Sequence, residues 1–264
     1  MTGPIELGPW QIGAAASLVL VNGLLSAWLR LGMEKKLLVA SARSVVQLTL
    51  LGLVLEPVFA AGNALLVGGI CVLMVVLAAR AATNRSSRRY AGMTWGGLGA
   101  LILGAGVTAV VGTGFIVQVE PWWEPRYLIP MLGMILGNGL TGISLGLDRC
   151  LQQLDEHRDR VDLALAYGAT AWEAARPVVA ESLRAGMIPI LNSMSVVGLV
   201  TIPGMMTGQI LGGTPPLQAA TYQMLILFLI TAATGLGALL AILFAWRAVF
   251  DGAGRLRPER IEEV

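Results

Sequence analysis

Seven apolar stretches dominate this sequence, and each is long enough to cross a lipid bilayer as a helix. A helix needs about 20 residues to span roughly 30 Å of hydrocarbon. The stretches lie near residues 10–29, 37–58, 63–82, 94–117, 127–147, 187–210 and 217–246. We therefore expect an all-α, polytopic membrane protein with seven transmembrane helices, in which residues 1–264 form a single transmembrane domain.

The composition supports this fold class. The chain is 56% hydrophobic and 13% charged, whereas a typical soluble domain is about 45–50% apolar and about 25% charged. So few polar residues cannot cover the surface of a soluble protein of this size. Two cysteines, Cys71 and Cys150, make no disulfide framework, and the single histidine, His157, excludes a histidine-rich metal site.

The basic residues predict the orientation of the chain. Cytoplasmic loops of membrane proteins are enriched in lysine and arginine. Seventeen of the 18 basic residues lie in or next to four segments. These segments are the loop after the first span, the loop after the third span, the segment 148–186 and the C-terminal tail. Arg126 alone lies on the opposite side. We expect the N-terminus outside and the C-terminus inside (N-out/C-in), with the protein in the inner (plasma) membrane.

The segment 148–186 begins as an extension of the fifth predicted span. An apolar stripe with helical spacing runs through Leu147, Leu151, Leu154, Val161 and Leu165 and is interrupted by Arg158. The opposite face of this helix is polar. We therefore expect the span to emerge as an amphipathic cytoplasmic helix whose stripe packs on a neighbouring element.

A charged elbow follows this helix. Gly168 is expected to end the helix, as glycine often does just past a helix end. Thr170 and Glu173 have the spacing of a capping box, in which each side chain bonds the backbone N–H of the other residue. We expect a short helix at 171–176 and a second helix that starts at Pro177, because proline suits a first turn.

The stretch "LALAYGATAWEAARPVVAESLRAGMIPI" resembles the coupling loop of ABC transporter permeases, which docks into a cleft of the ATPase. Ala164, Ala166 and Gly168 occupy the alanine and glycine positions of that loop, and Pro189 matches its later proline. The usual leading glutamate is absent or replaced by Asp162. The resemblance implies the following ATPase-coupling residues: Gly168, Ala169, Thr170, Ala171, Trp172, Glu173, Ala174, Ala175 and Arg176.

Four blocks in the same order resemble the iron-export permease family called FetB, which includes plant permeases linked to aluminium tolerance. They are "ARSVVQLTLLGLVLEPVF", "MLGMILGNGLTGISLGLDR", "GATAWEAARPVV" and "IPILNSMSVVGLVTIPGMMTGQILGG". The resemblance implies a permease of an ATP-driven ABC transporter that exports iron or another metal ion or complex. It also implies a separate ATPase subunit that binds ATP and Mg²⁺. Because one chain of seven helices is a small wall for a pathway, we expect the pathway to form between two copies of the chain.

The sequence of this chain agrees with ATP binding by a separate subunit. A phosphate-binding Walker A loop has the pattern GxxxxGK[ST]. The only lysines, Lys35 and Lys36, follow a glutamate and a lysine, so the chain has no such loop. We therefore expect a transport subunit that is not an enzyme, binds no cofactor itself, and has no nucleic-acid partner.

Polar residues within the spans are candidates for a translocation pathway, because polar groups are costly in lipid. The candidates are Arg43, Gln47, Asn138, Asn192, Met194, Met206 and Gln209. Arg43 and Gln47 share one helix face. Pro203 and the glycine after it are expected to kink or break the sixth span and free backbone carbonyls.

The identity of a metal does not follow from these residues. Thioethers are soft ligands that suit Cu(I) better than ferric or aluminium ions, and methionine more often fills gaps in packing, the role expected for Met205. Hard cations prefer carboxylates, yet no Asp or Glu lies deep in a predicted span. The metal ligands stay unknown, and iron rests on the resemblance alone.

Two other functions remain open at this stage. A self-sufficient channel or ion-coupled carrier would work without an ATPase and would need a buried ionisable residue, for which Arg43 is the sole candidate. A membrane scaffold could bind a cytoplasmic protein through the elbow without transport. The scaffold leaves the polar residues Gln47, Asn138 and Asn192 unexplained.

Overall fold

Long apolar helices form most of the structure, a computed structural model that describes residues 8–263. The described residues form α1 (Pro9–Trp28), α2 (Glu34–Ala61), α3 (Ala64–Thr83), α4 (Met93–Leu101), α5 (Val107–Val110), α6 (Pro125–Glu156), α7 (Arg158–Ala166), α8 (Ala171–Val196), α9 (Gly204–Leu211) and α10 (Pro216–Val249). A π-helical segment, Ile102–Gly106, joins α4 to α5, and a second one, Val111–Ile116, extends α5, so that Met93–Ile116 forms one helix. Two short strands, β1 (Arg88–Arg89) and β2 (Glu262–Glu263), pair antiparallel, and a 3₁₀ turn covers Pro258–Arg260.

Within residues 8–263, six helices are long and apolar enough to cross a membrane. They are α1, α2, α3, the joined helix Met93–Ile116, α6 and α10. The chain is therefore an all-α, multi-pass membrane protein, as the apolar stretches predict.

The sixth predicted span, 187–210, is wrong as a continuous helix. The chain leaves α8 after Val196, and Gly198 takes a left-handed conformation with a φ of +81°. The backbone N–H groups of Val200 and Thr201 both donate to the carbonyl of Val196, which closes a tight turn. The helix resumes only after Pro203, so the expected interruption is present but begins several residues before the proline.

The predicted start of a new helix at Pro177 is also wrong, because α8 runs without a break from Ala171 to Val196. An interior proline removes one backbone hydrogen bond and costs about 3 kcal/mol. Ala175 and Ser182, on either side of Pro177, are almost fully buried against the neighbouring helices. Tertiary packing of this face offsets the lost hydrogen bond, and α8 continues through the proline.

The centre of the bundle consists of α6, α8 and α10, which pack against one another. A Cβ atom on Gly186 of α8 would lie 2.7 Å from the backbone oxygen of Gly142 of α6. A Cβ atom on Gly104 would similarly lie 2.8 Å from backbone atoms of Gly237 in α10. Small residues at these contacts allow the helix backbones to approach closely, as is common in membranes.

Helices α1 and α2 form a hairpin that packs little against the rest of the bundle. Val58 is the only buried residue of α2 in the part of the chain that the structure describes, and α2 contacts α6. Both helices present large exposed apolar side chains, such as Leu24 and Leu48. In a bilayer, lipid or another protein chain must cover these faces.

A cluster of ion pairs ties the C-terminal tail to the bundle. The Arg88 guanidinium bonds Asp155 at 2.9 Å, Glu156 at 3.1 Å and Glu263 of β2 at 3.2 Å. The hydrogen bond to Asp155 and the neighbouring charges raise the pKa of Arg88. The cluster joins β1, the end of α6 and the tail, an arrangement that the charges alone do not predict.

The contact between Gly186 and Gly142 makes a testable prediction about the bundle. Gly186→Ala should lower the stability by about 1–3 kcal/mol, since the added methyl group meets backbone rather than a movable side chain. Thermal unfolding of the purified protein in mild detergent measures the change.

Gly137→Ala in α6 is the matched control, because nothing lies within 4 Å of the added methyl group. It should be neutral or stabilising by about 0.5–1 kcal/mol, as alanine favours helix over glycine. Equal stability of the two variants would contradict the packing of α6 on α8.

Candidate functional site

The elbow between α7 and α8 is a tight turn with a defined geometry. Gly168 has a φ of +90°, a conformation that favours glycine over other residues. Its backbone N–H donates to the carbonyl of Leu165, and the N–H of Ala169 donates to the carbonyl of Ala164. These bonds satisfy the last carbonyls of α7, so Gly168 ends this helix as predicted.

The capping box at the start of α8 is present. The backbone N–H and the hydroxyl of Thr170 each donate to Glu173 Oε2 at 2.8 Å, and the N–H of Glu173 donates to Thr170 Oγ1 at 3.3 Å. The two bonds from Thr170 lower the pKa of Glu173. Because this folded-state pKa is depressed, the stabilisation is present above the ordinary glutamate pKa and is lost as the pH falls through the lowered value. The capping box is therefore intact at neutral pH.

An aromatic contact fixes the elbow to the end of α10. The ring centroids of Trp172 and Trp246 lie 5.4 Å apart at an interplanar angle of 72°, and Phe250 lies 6.1 Å beyond Trp246. Edge-to-face pairs of this kind contribute about 0.5–1.5 kcal/mol beyond their buried area. Trp172 also remains 42% exposed, so it can contact α10 and a further protein together.

The nine predicted coupling residues divide by exposure. Ala174 and Ala175 are buried against the bundle, at 8% and 1% exposed, so they hold α8 in place and do not present a surface to another protein. Trp172, Glu173 and Arg176 are exposed. The outer face of the elbow is therefore a charged and aromatic surface.

The opposite end of α8 borders a cavity with two chambers. The first chamber, of about 570 Å³, lies between the starts of α6 and α10 and helix α9. The second chamber, of about 420 Å³, lies beside the non-helical segment 197–203. Met134 of α6 and Met205 of α9 line both chambers.

Two glutamines in the lining of this cavity have amide oxygens without hydrogen-bond partners. Gln209 lines the first chamber and Gln223 the second, and the amide oxygen of each is buried with no hydrogen-bond partner. Gln223 is only 8% exposed. A buried acceptor without a partner costs about 1–3 kcal/mol, and such groups in native proteins call for an explanation.

The charge of the cavity is positive. None of the described residues that line the two chambers is an aspartate or glutamate, and Arg126 of the first chamber is the single charged residue among them. Residues 8–263 also contain no group of three or more His, Cys, Asp or Glu that could hold a metal ion.

The structure brings together two of the seven predicted pathway residues at this cavity. Asn138 lines the second chamber and Gln209 the first. The other five lie outside both linings. Arg43 and Gln47 are exposed on α2, and Asn192 is exposed on α8. Met194 accepts a hydrogen bond from the Thr231 hydroxyl at 3.2 Å, and Met206 is half-buried in α9. Their role in a pathway stays a prediction.

Met205 packs against the buried core, as expected, and it also lines both chambers. The sequence analysis also missed other residues of the cavity, namely Met134, Thr214, Gln218, Tyr222 and Gln223. A signal for the last three was available, since they place polar groups in the first turns of an otherwise apolar helix.

Two helices connect the elbow to the cavity. In α8, Trp172 at the elbow and Ser193 at the second chamber are separated by about 32 Å of continuous helix, at 1.5 Å per residue. In α10, Trp246 and Gln223 are separated by about 35 Å by the same measure. The elbow also contacts α10 through Trp246, so both helices that reach the cavity meet at the elbow.

Six helices of membrane-spanning length within residues 8–263 define the chain as a multi-pass membrane protein. The family described as "Uncharacterised protein family (UPF0014)" matches residues 9–250, and the chain belongs to this family. The UPF0014 membrane protein slr1647 of Synechocystis sp. is 35% identical, over 94% of this chain and 95% of that protein. The probable iron export permease protein FetB of Escherichia coli is 29% identical, over 93% of each chain.

A plant relative, the protein ALUMINUM SENSITIVE 3 of Arabidopsis thaliana, is 30% identical, over 92% of this chain and 88% of that protein. The resemblance to the FetB iron-export permeases and to the plant aluminium-related proteins is thus confirmed over nearly the whole sequence. No solved structure matches the chain.

The partnerless amide oxygen of Gln223 predicts that this side chain lowers the stability of the bundle. Gln223→Leu should raise the stability of the purified protein by about 1 kcal/mol, because it removes a buried acceptor and keeps a similar volume. Thermal unfolding in mild detergent measures this change. Gln152→Leu, on the surface of α6, is the control and should have little effect; a destabilised Gln223→Leu would show that the amide is satisfied.

Proposed function

We propose that this chain is the membrane-spanning permease subunit of an ATP-driven ABC transporter that exports iron or another metal as an ion or a complex. A separate ATPase subunit binds ATP and Mg²⁺, and this chain is not an enzyme. The observation that carries the proposal is the capped elbow, which continuous helices join to the cavity. The E. coli relative, a probable iron export permease, supports the cargo and the direction of transport.

The proposed orientation is N-out/C-in with seven crossings in the inner (plasma) membrane. The distribution of the basic residues supports this orientation. The sixth crossing consists of the end of α8, the segment 197–203 and α9 together. Irregular backbone at membrane depth is tolerated where it lines a cavity, and this segment borders the second chamber. The elbow then faces the cytoplasm, and the first chamber lies toward the outside.

In the proposed mechanism, ATP binding closes a pair of ATPase subunits, which push on the elbow at residues 168–176. The contact of Trp172 with Trp246 and the continuity of α8 carry the displacement along the bundle. The cavity changes from inward-facing to outward-facing and releases the cargo. The permease contributes geometry and binding, whereas hydrolysis takes place on its partner.

Two copies of the chain complete the proposed transporter. The hairpin of α1 and α2 exposes apolar faces, and α2 also exposes Arg43 and Gln47 within its apolar length. Polar side chains in a membrane helix usually face other protein or a water-filled cavity. We therefore assign this face of α2 to the second copy and to the pathway between the copies.

The main test of the proposed function is whether a substitution at Glu173 weakens binding of the ATPase subunit. Glu173→Lys should weaken binding of the ATPase subunit by about tenfold or more, since it breaks the capping box and reverses a charge on the docking surface. Pull-down of the tagged chain in mild detergent, with quantitative mass spectrometry, measures the bound ATPase.

Two control variants refine this test. Glu173→Gln keeps the capping geometry, because glutamine also serves in a capping box, and should retain more ATPase than Glu173→Lys. Asp159→Lys reverses a fully exposed charge on α7, where the Asp159 side chain is 96% exposed, and should leave binding unchanged. ATPase binding that is equal in all variants, or no ATPase partner at all, would favour the self-sufficient carrier.

A second prediction concerns α2. Gln47→Ala should lower metal efflux from cells several-fold while the complex still assembles, because the amide is assigned to the pathway. Leu48→Ala, the next residue and exposed on another side of α2, is the control and should transport normally. Wild-type efflux by Gln47→Ala would remove α2 from the pathway.

A further inference from the structure

We propose that the C-terminal tail, residues 251–263, forms a second part of the surface that docks the ATPase subunit, beside the elbow at residues 168–176. This inference rests on the proposed function, because it extends the docking surface of the same permease. It follows from the small size of the elbow, from the contact between the tail and the elbow, and from the bonds that hold the tail in place.

The elbow alone is too small for a stable docking surface. A specific protein–protein interface buries about 800 Å² on each partner and involves about 20–30 residues of each. The elbow has nine residues, and two of them, Ala174 and Ala175, are buried against the bundle. A subunit that binds the elbow must therefore also cover the parts of the chain that lie next to it.

The tail begins with a tight turn that lies against the elbow. The backbone N–H of Asp251 donates to the carbonyl of Arg255 at 2.9 Å, and the N–H of Gly254 donates to the carbonyl of Asp251 at 3.0 Å. A Cβ atom on Gly254 would lie 3.5 Å from the Cβ atom of Ala171, the first residue of α8. A protein that covers the start of α8 therefore also reaches this turn.

Hydrogen bonds to one carboxylate fix the conformation of the turn. Asp251 accepts bonds from the backbone N–H groups of Ala253 at 3.0 Å and Arg255 at 2.8 Å, and from the Arg257 guanidinium at 3.0 Å. Arg255 itself is exposed and forms no ion pair with a carboxylate in the described part of the chain. The turn thus places a free guanidinium beside the elbow, where it can bind a carboxylate of the ATPase subunit.

The ion-pair cluster of Arg88 holds the far end of the tail. The Arg88 side chain is only 12% exposed, and it bonds Glu263 of β2 as well as Asp155 and Glu156 at the end of α6. These bonds support the pairing of β2 with β1 and keep the tail on the bundle. Arg88 is therefore a positioning residue, which acts on docking through the tail and not through contact with the partner.

Pull-down of the tagged full-length chain in mild detergent tests the contact. The probe is the co-purified subunit that carries a Walker A loop, measured by quantitative mass spectrometry relative to the permease. Arg255→Glu should weaken its binding by about fivefold or more, because the charge at the contact is reversed. Lys36→Glu, which reverses an exposed charge near the start of α2, is the control and should leave binding unchanged.

A reversible disulfide tests the positioning role. Arg88→Gln should weaken ATPase binding several-fold, because it releases β2. Arg89 and Glu262 are directly paired across β1 and β2, a separation that a disulfide can bridge. Adding Arg89→Cys and Glu262→Cys to Arg88→Gln should restore binding under oxidising conditions, and reduction should abolish it again. Arg88→Gln with Arg89→Cys alone is the control and should not respond to oxidation.

Elution of each variant at the normal volume in size-exclusion chromatography shows that it is folded. Unchanged binding by Arg255→Glu, together with loss of the ATPase in Glu173→Lys, would overturn this inference and leave the proposed function. Failure of the oxidised disulfide to restore binding to Arg88→Gln would overturn the positioning role of the tail. Recovery only of proteins without a Walker A loop would overturn the tail surface together with the proposed function.

Discussion

The close contact between Gly142 of α6 and Gly186 of α8 is the constraint on which the rest of the bundle depends. A side chain at Gly186 would meet the backbone oxygen of Gly142 at 2.7 Å, so the two helices can touch only where both lack a Cβ. In lipid, helix association depends on this close packing rather than on the burial of apolar surface from water. The contact fixes α8 against α6 and thereby sets the positions of both the elbow and the cavity.

The cavity carries structural costs that the rest of the bundle offsets. The oxygens of Gln209 and Gln223 lack hydrogen-bond partners, and the backbone between Val196 and Gly204 leaves the helical conformation. The buried contacts of α6, α8 and α10 are continuous and apolar, in contrast. Departures from local preference that concentrate in one place are typical of functional sites, and here they lie beside the cavity.

The sequence predicts the features whose causes are local. Apolar length is enough to place six of the seven predicted membrane helices, and the capping box is visible because Thr170 and Glu173 are three residues apart. The cavity was only partly predictable, since Met134, Met205 and Gln223 come from three helices and their proximity depends on tertiary packing. Pro177 shows the same limit: its preference for a first turn is real, but the packing of α8 overrides it.

The continuity of α8 through Pro177 changes how the proposed transporter would work. Two separate short helices would absorb a push from the ATPase at the joint between them, whereas one helix transmits it. The backbone of α8 is interrupted only at its ends, at Gly168 and at the segment 197–203. Between these ends, Gly186 rests against α6. Under the proposed function, α8 therefore rotates as a rigid helix about its contact with α6. A displacement of the elbow at one end of α8 then moves the cavity wall at the other end.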